Sequence, residues 1–370
     1  MGSALPTSWA LMHTPSAYRR ALLTGTLYAL AAGLMWGLVF IAPTLLADYP
    51  ATLLVVGRYL AFGLIALPLA WWDRARLAEL TRADWLEALK LSAVGNLLYY
   101  LCLAAAIQRA GGPLPTMLIG TLPVVIAIAS NLRSSAAVRA RDGRLPWARL
   151  APPLLLIAAG IACVNQAELQ HLQHRGGIDL QRYAEGALLA LAAVACWTWY
   201  PIRNADWLRA HKDRSATAWA TAQGLATLPL ALLGYGLLWG WTAWSGAGTG
   251  TGDGLAASPV TAMPAMPASP AMPAMPAMPF GPRPAAFIGW MLVIGFFASW
   301  LGTLCWNEAS QRLPPALGGQ LIVFETLAAL AYAFALRGQA PQALTLAGIG
   351  LLVAGVVMAL RSGRPMPHPV

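Results

Sequence analysis

Residues 101–109 read LCLAAAIQR and residues 304–312 read LCWNEASQR, so that Leu101-Cys102 and Gln108-Arg109 recur as Leu304-Cys305 and Gln311-Arg312 at a constant offset of 203. Each stretch closes an apolar run. Each then passes a Gly/Pro-rich turn, Gly111-Gly112-Pro113 in one and Pro314-Pro315 in the other, into the next apolar run. Self-similarity at such a distance marks a chain made of two like halves. Trp36 and Trp197 hold similar places in the first run of each half, and Leu155 to Gly160 resembles Leu351 to Gly355 in the last.

What fills the halves follows from composition. Of 370 residues, 58% are hydrophobic and only 10% charged, against about 25% charged in an ordinary soluble domain. A water-facing surface that poor in charge would aggregate, so most of it must face lipid. A membrane-crossing helix needs about 20 apolar residues. Ten windows qualify, near 21–46, 51–71, 85–107, 113–133, 147–166, 183–203, 215–242, 285–308, 316–336 and 342–361. The expected fold is an all-α membrane protein of ten transmembrane helices, arranged as two inverted five-helix repeats. An odd number of helices per repeat makes equivalent helices cross in opposite directions.

The expected organisation is a cytoplasmic N-terminal segment 1–20, a first repeat 21–166, an outer loop 167–182, a second repeat 183–361 and a C-terminal tail 362–370. An insert at 244–284 interrupts the second repeat with Ala-Met-Pro triplets, as in Ala262-Met263-Pro264. Proline at every third position blocks helix and sheet and favours an extended, disordered linker. No cleavable signal peptide is expected, because residues 1–18 carry no Lys or Arg and the first apolar run is too long for one.

Orientation follows from the basic residues. With both termini inside, 17 of the 24 Lys and Arg fall in inner segments and 5 in outer ones; Arg58 and Lys90 lie within spans. The net charge of +10 is therefore distributed as a membrane topology signal, and nucleic acid is not the expected partner. Arg outnumbers Lys 22 to 2, which reads as a GC-rich bacterial coding bias. Cys102, Cys163, Cys196 and Cys305 all lie in apolar runs, so neither disulfides nor a zinc site is expected. Glu168, His171 and His174 in the outer loop and the methionines of the insert are the places where a metal could bind. Solvated loop side chains are the preferred reading for both, and no metal or cofactor is expected.

Inverted repeats recur in secondary transporters, where exchanging the conformations of two similar halves opens a central site to each side in turn. The run Gly33-Leu34-Met35-Trp36-Gly37, Arg58-Tyr59 in span two and Phe324-Glu325 in span nine, together with ten spans, resemble the drug/metabolite transporter superfamily, EamA type. The resemblance covers roughly 21–361 apart from the insert. It implies export of small metabolites such as amino acids, by proton-coupled or facilitated transport. The chain departs from the family at two places: Glu325-Thr326 stands where Glu-Pro is common, and Leu336-Arg337-Gly338-Gln339 where Leu-Gly-Glu is common.

The candidate site residues come from the spans themselves. Glu325 is the one acidic residue expected deep in a span, and an ionised carboxylate there must be protonated, paired or wet. It reads as the proton-coupling group or the partner of a substrate amine, or else as a protonated structural hydrogen bonder. Its counterpart is Leu122, so the fold does not need it. Arg58 either binds a substrate carboxylate or snorkels outward. Trp36 and Phe40 on span one, Asn96 and Tyr99 on span three, Trp197 and Tyr200 on span six, Trp300 and Asn307 on span eight, and Tyr332 with Glu325 on span nine share helix faces at spacings of three, four or seven. They are the candidate substrate-binding residues, although packing or interfacial anchoring accounts for most single aromatics. Glu87 with Lys90 and Glu308 with Arg312 read as structural ion pairs.

The expected activity is export of a small metabolite across the inner membrane by alternating access, with amino acids (aromatic ones included) or organic cations as substrates and a proton as coupling ion. The partners are then the substrate and the lipid bilayer. The sequence leaves the oligomeric state open, a monomer included. A nucleotide-sugar-type exchanger would need more basic groups in the spans. An enzyme would need an acid/base pair or metal ligands there, and a non-transporting sensor or scaffold would be expected to carry a further soluble domain.

Overall fold

The order of elements follows the apolar windows. The computed structural model describes residues 15–111, 113–133, 147–173, 180–247, 280–313, 318, 321–338 and 340–362, and all regular structure among them is helical. Numbered by span, α1 is Pro15–Leu45, α2 Ala51–Trp72 and α3 Arg82–Ala110. The fourth span is split into α4a Pro113–Gly120 and α4b Leu122–Arg133, and α5 is Trp147–Gln173. The second half holds α6 Leu180–Ala210, α7 Ala216–Ala247, α8 Pro284–Arg312, α9 Val323–Arg337 and α10 Ala343–Ser362. Among the described residues six helices (α1, α2, α3, α6, α7 and α8) are long and apolar enough to cross a membrane. The other four windows hold shorter apolar stretches, Leu114–Ile126, Ala151–Val164, Val323–Leu336 and Ala343–Gly355. The insert, the N-terminal segment and His174 lie largely or wholly outside the described residues, as do the side chains of Glu168 and His171.

Outward faces carry leucine instead of charge: Leu27, Leu67, Leu155, Leu188 and Leu237 are all exposed, which suits hydrocarbon. Trp71, Trp72, Trp239 and Trp241 are exposed near helix ends, where an indole bridges hydrocarbon and headgroup.

Glycines reveal how the halves meet. A methyl group on Gly160 would lie 2.7 Å from the carbonyl of Gly348, and one on Gly355 would lie 2.9 Å from the carbonyl of Pro153. These contacts mirror each other, since Gly160 to Gly355 and Pro153 to Gly348 are the same distance apart in sequence. The partners run in opposite senses, Ile157 opposite Gly355 and Val164 opposite Gly348. Helices α2 and α7 cross antiparallel in the same way, with Gly234 on Val56 and Gly224 on Ala66. Antiparallel equivalents are what an inverted repeat produces.

Both third helices of the repeats contain a π-helical turn, Ser92–Leu98 in α3 and Ile294–Leu301 in α8. These are equivalent positions, and π turns concentrate at functional sites. Spans four and nine are not continuous, contrary to the windows drawn from sequence. The fourth breaks at Thr121, where Pro123 can neither donate a backbone bond nor let the preceding turn close without a clash. The ninth has a turn at Ile322, and Glu325 N bonds back only three residues, to the Ile322 carbonyl at 3.0 Å. Glu325 thus sits in the first turn of α9.

Candidate functional site

The centre of the molecule is a buried aromatic cluster drawn from both repeats. Trp36 on α1 meets Trp197 on α6 edge-on at 5.1 Å and Trp306 on α8 at 5.4 Å. Trp197 is the middle layer of a stack, with Tyr99 on one face and Tyr200 on the other, each at 4.8 Å. The π turns make room for it: a methyl group on Gly95 would collide with the Tyr200 ring at 2.1 Å, and one on Gly302, just after the second π turn, would reach the Trp36 indole nitrogen at 2.8 Å.

Arg58 enters this cluster from α2. Its side chain does not snorkel: the residue is 4% exposed, and it is the only basic residue in the buried class among the described residues. The guanidinium lies over the rings of Tyr100, 4.5 Å from the centroid, and Tyr59, 5.0 Å away. Nε donates to Ser299 Oγ at 3.0 Å and one terminal nitrogen to the Ala298 carbonyl at 3.3 Å, both on the π turn of α8. The other terminal nitrogen has no partner.

Glu325 is 1% exposed. Its backbone is pressed against Gly33 and its Oε2 is unpartnered. Arg58, Glu325 and Tyr99 lie within electrostatic reach of one another. Around these two groups the buried atoms left without a hydrogen bond include Asn96 Nδ2, Trp197 Nε1, Trp306 Nε1 and the hydroxyls of Tyr59, Tyr99 and Tyr100. Leaving one such group unmade costs roughly 1–3 kcal/mol. Their concentration around Arg58 and Glu325 makes this the candidate site.

Beside this unsatisfied set lies a satisfied one. Trp219 Nε1 and Gln223 Nε2 donate to Asn204 Oδ1, at 2.8 and 3.2 Å, and Asn204 Nδ2 donates to Asn307 Oδ1 at 2.8 Å. Tyr200 OH donates to Gln223 Oε1 at 2.8 Å. An indole can only donate, so Trp219 fixes which end of Asn204 accepts. That sets the direction of the whole chain and orients the Tyr200 layer of the stack. At the same end of the bundle, Arg203 grips Glu87 through two nitrogens, with Lys90 3.6 Å away, and Trp207 Nε1 donates to Asp84. Arg312 pairs with Glu308.

Of the residues singled out from sequence, the structure gathers Trp36, Arg58, Asn96, Tyr99, Trp197, Tyr200 and Glu325. Phe40 is buried in the same core a turn further along α1. Three lie elsewhere. Trp300 is half-buried, stacks on Phe296 and donates to Thr221 at 3.2 Å. Its spacing of seven from Asn307 presumes α-helical geometry, and the π turn that ends at Leu301 rotates it off that face. Asn307 serves the satisfied chain. Tyr332 lies on the α1–α9 seam, packed on Gly37 and donating to the Leu34 carbonyl at 3.0 Å. Sequence reasoning passed over Tyr59, Tyr100 and Trp306; adjacency to Arg58 and Tyr99 was the available signal for the first two. It also passed over Asn204, because the sixth window ended at 203 whereas α6 continues to Ala210. No group of three or more His, Cys, Asp or Glu among the described residues is placed to hold a metal.

Comparison with known proteins agrees with this architecture. Residues 23–139 match the EamA-like transporter family. The chain is 50% identical over 346 residues to Inner membrane protein YtfF of Escherichia coli (strain K12), covering 94% of this chain and 98% of that protein. A solved crystal structure is similar at a TM-score of 0.59 and 17% identity, over 92% of this chain and 99% of the other, which is a likeness of fold. Two repeats meeting antiparallel around a buried polar site, and a relative identical at half its positions, lead to one assignment: the chain belongs to the EamA-like transporter family of the drug/metabolite transporter superfamily, as a multi-pass inner-membrane transporter.

Proposed function

We propose that the protein exports small zwitterionic metabolites, aromatic amino acids foremost, by alternating access coupled to a proton at Glu325. The observation that carries this reading is that a buried carboxylate with an unpartnered oxygen and a buried guanidinium with an unpartnered nitrogen lie beside one aromatic cluster. The free guanidinium nitrogen of Arg58 suits a substrate carboxylate, Glu325 suits its ammonium group, and the faces of Trp197 and Tyr99 suit a flat side chain.

Proton coupling follows from competition for one group. Glu325 can balance either a proton or a substrate ammonium in its dry surroundings, but not both. Proton entry from outside displaces substrate outward, and proton loss to the cytoplasm readies Glu325 for the next ammonium. Both termini are proposed to be cytoplasmic, with the Ala-Met-Pro insert as an outer linker.

Counterflow into proteoliposomes tests the substrate class with three matched probes: L-tryptophan, tryptamine and indolepropionate. The zwitterion should exchange, and each probe lacking one charge should fall by at least about ten-fold, because it strands a buried partner. Equal exchange of tryptamine would replace this reading with organic-cation export and remove Arg58 from recognition. Absence of all three fluxes would reject the aromatic amino acid assignment.

A further inference from the structure

The repeated Gln-Arg pair has a physical job that differs between the halves. Gln108, at the end of α3, reaches the loop between α1 and α2 with both ends of its amide. Nε2 donates to the Tyr49 carbonyl at 2.6 Å, and Oε1 accepts from Ala51 N at 3.0 Å. Gln311, its counterpart at the end of α8, reaches the loop between α6 and α7 with one end only, Nε2 to the Arg214 carbonyl at 3.5 Å. The two corners share other features, although Arg109 pairs with Glu185 on α6 whereas Arg312 pairs with Glu308 on its own helix. Arg109 and Arg312 each donate to the carbonyl four residues back. Gly186 packs on Ala110 as Gly25 packs on Leu313. One corner is therefore fastened and its mirror image almost unfastened, at opposite ends of an inverted pair.

We infer that Gln108 and Gln311 are alternating latches of the transport cycle: the conformation described here is held shut at the outer corner by Gln108, and the opposite conformation is held by Gln311 making the two-bond grip on its own loop. The inference rests on the alternating-access reading but on neither Glu325 nor any substrate. It follows from symmetry, since exchanging the conformations of two like repeats must exchange the two corners. It also explains why Gln recurs at these positions when neither side chain touches the central cluster. A latch biases the equilibrium only through the difference between its bonds in the two states, and the difference between the two corners is bonds of 2.6 and 3.0 Å against one of 3.5 Å, at the limit of hydrogen-bonding distance.

Hydrogen–deuterium exchange of the purified full-length protein in lipid nanodiscs, without substrate, tests this directly. In Gln108→Leu the peptide covering residues 47–54 should exchange faster by about five-fold, the scale of one lost hydrogen bond. The peptide covering 211–218 should at the same time become more protected, because the population has moved to the state in which the inner corner is fastened. Gln311→Leu should leave 47–54 as protected as in the parent or more so. Faster exchange at 47–54 with no gain of protection at 211–218 would make Gln108 a local tether and overturn the inference. Faster exchange at both corners would mean general loosening and would overturn it equally. Should Gln108→Leu not fold, the Gln311→Leu arm decides alone: deprotection of 47–54 in that variant contradicts the latch.

Discussion

Gly33 lies bare against the backbone of Glu325: a methyl group on Gly33 would sit 3.0 Å from Glu325 N and 3.2 Å from the carbonyl carbon of Phe324. The contact puts α1 on the first turn of α9, where the carboxylate emerges, so the small residue sets how deeply Glu325 sits. The obstructing atoms are helix backbone and cannot swing aside. Gly33→Ala is expected to destabilise the fold by about 1–3 kcal/mol, the scale of overpacking, and to reduce transport. Gly240 on α7, by contrast, has nothing within 4 Å of where a methyl group would sit. Gly240→Ala should leave both unchanged. Thermal unfolding in detergent compares the two; equal effects would show that the α1–α9 contact has no special role.

Asn204 is the hub of the satisfied chain, and its loss strands several groups at once. Asn204→Leu leaves Trp219 Nε1, Gln223 Nε2 and Asn307 Oδ1 buried without their partner. The expected cost is on the order of 3 kcal/mol or more. A small shift in thermal unfolding midpoint would mean that water enters and replaces the lost bonds.

Ser299 holds Arg58 in register by accepting from its Nε. In Ser299→Ala the guanidinium keeps its charge and its ring contacts but loses one anchor. The KM for a zwitterionic substrate should rise by about ten-fold or more, the scale of a hydrogen bond to a charged group, with maximal rate little changed. An unaltered KM for the zwitterion would remove Arg58 from substrate binding.

Outside the membrane, Arg283 ties the chain after the insert to the α1–α2 loop through Asp48, the Leu45 carbonyl and the hydroxyl of Tyr49. The hydrogen bond from Arg283 holds the Asp48 carboxyl below its usual range. A carboxylate whose pKa is lower when folded contributes stability above its unfolded value, about 3.9, and loses it as the pH falls through the folded value. Wild type should therefore unfold at a higher temperature than Asp48→Asn at neutral pH, and the gap should close on acidification below that range. About 1 M salt should shrink the gap too, since half-exposed charges are screened. A gap independent of both pH and salt would show that Asp48 acts through packing.

Much of this was legible in the sequence, and the limits have physical causes. The constant offset between Gln108 and Gln311 and the shared Trp36 and Trp197 carried the repeat, because a fold built twice repeats its packing residues. Glu325 and Arg58 stood out because charge inside an apolar window has few bland explanations. Trp300 was misplaced because face assignment assumes 3.6 residues per turn, and a π turn breaks that count locally. Asn204 was invisible because a polar residue at a window's edge looks solvated, and only the packing of α7 and α8 against α6 buries it. The break in span four follows from Pro123, but the turn at Ile322 has Thr326 where the first half has that proline, so no residue type announces it.

The central claim is that Glu325 exchanges a proton for the substrate's ammonium group. Proteoliposomes with an imposed pH gradient, containing either wild type or Glu325→Gln, measure it through uptake of labelled L-tryptophan and through counterflow at equal pH. The account predicts that the gradient drives accumulation in wild type only, and that the variant, unable to change charge, binds the zwitterion weakly and accumulates none. Accumulation by Glu325→Gln equal to that of wild type under the same gradient would contradict it.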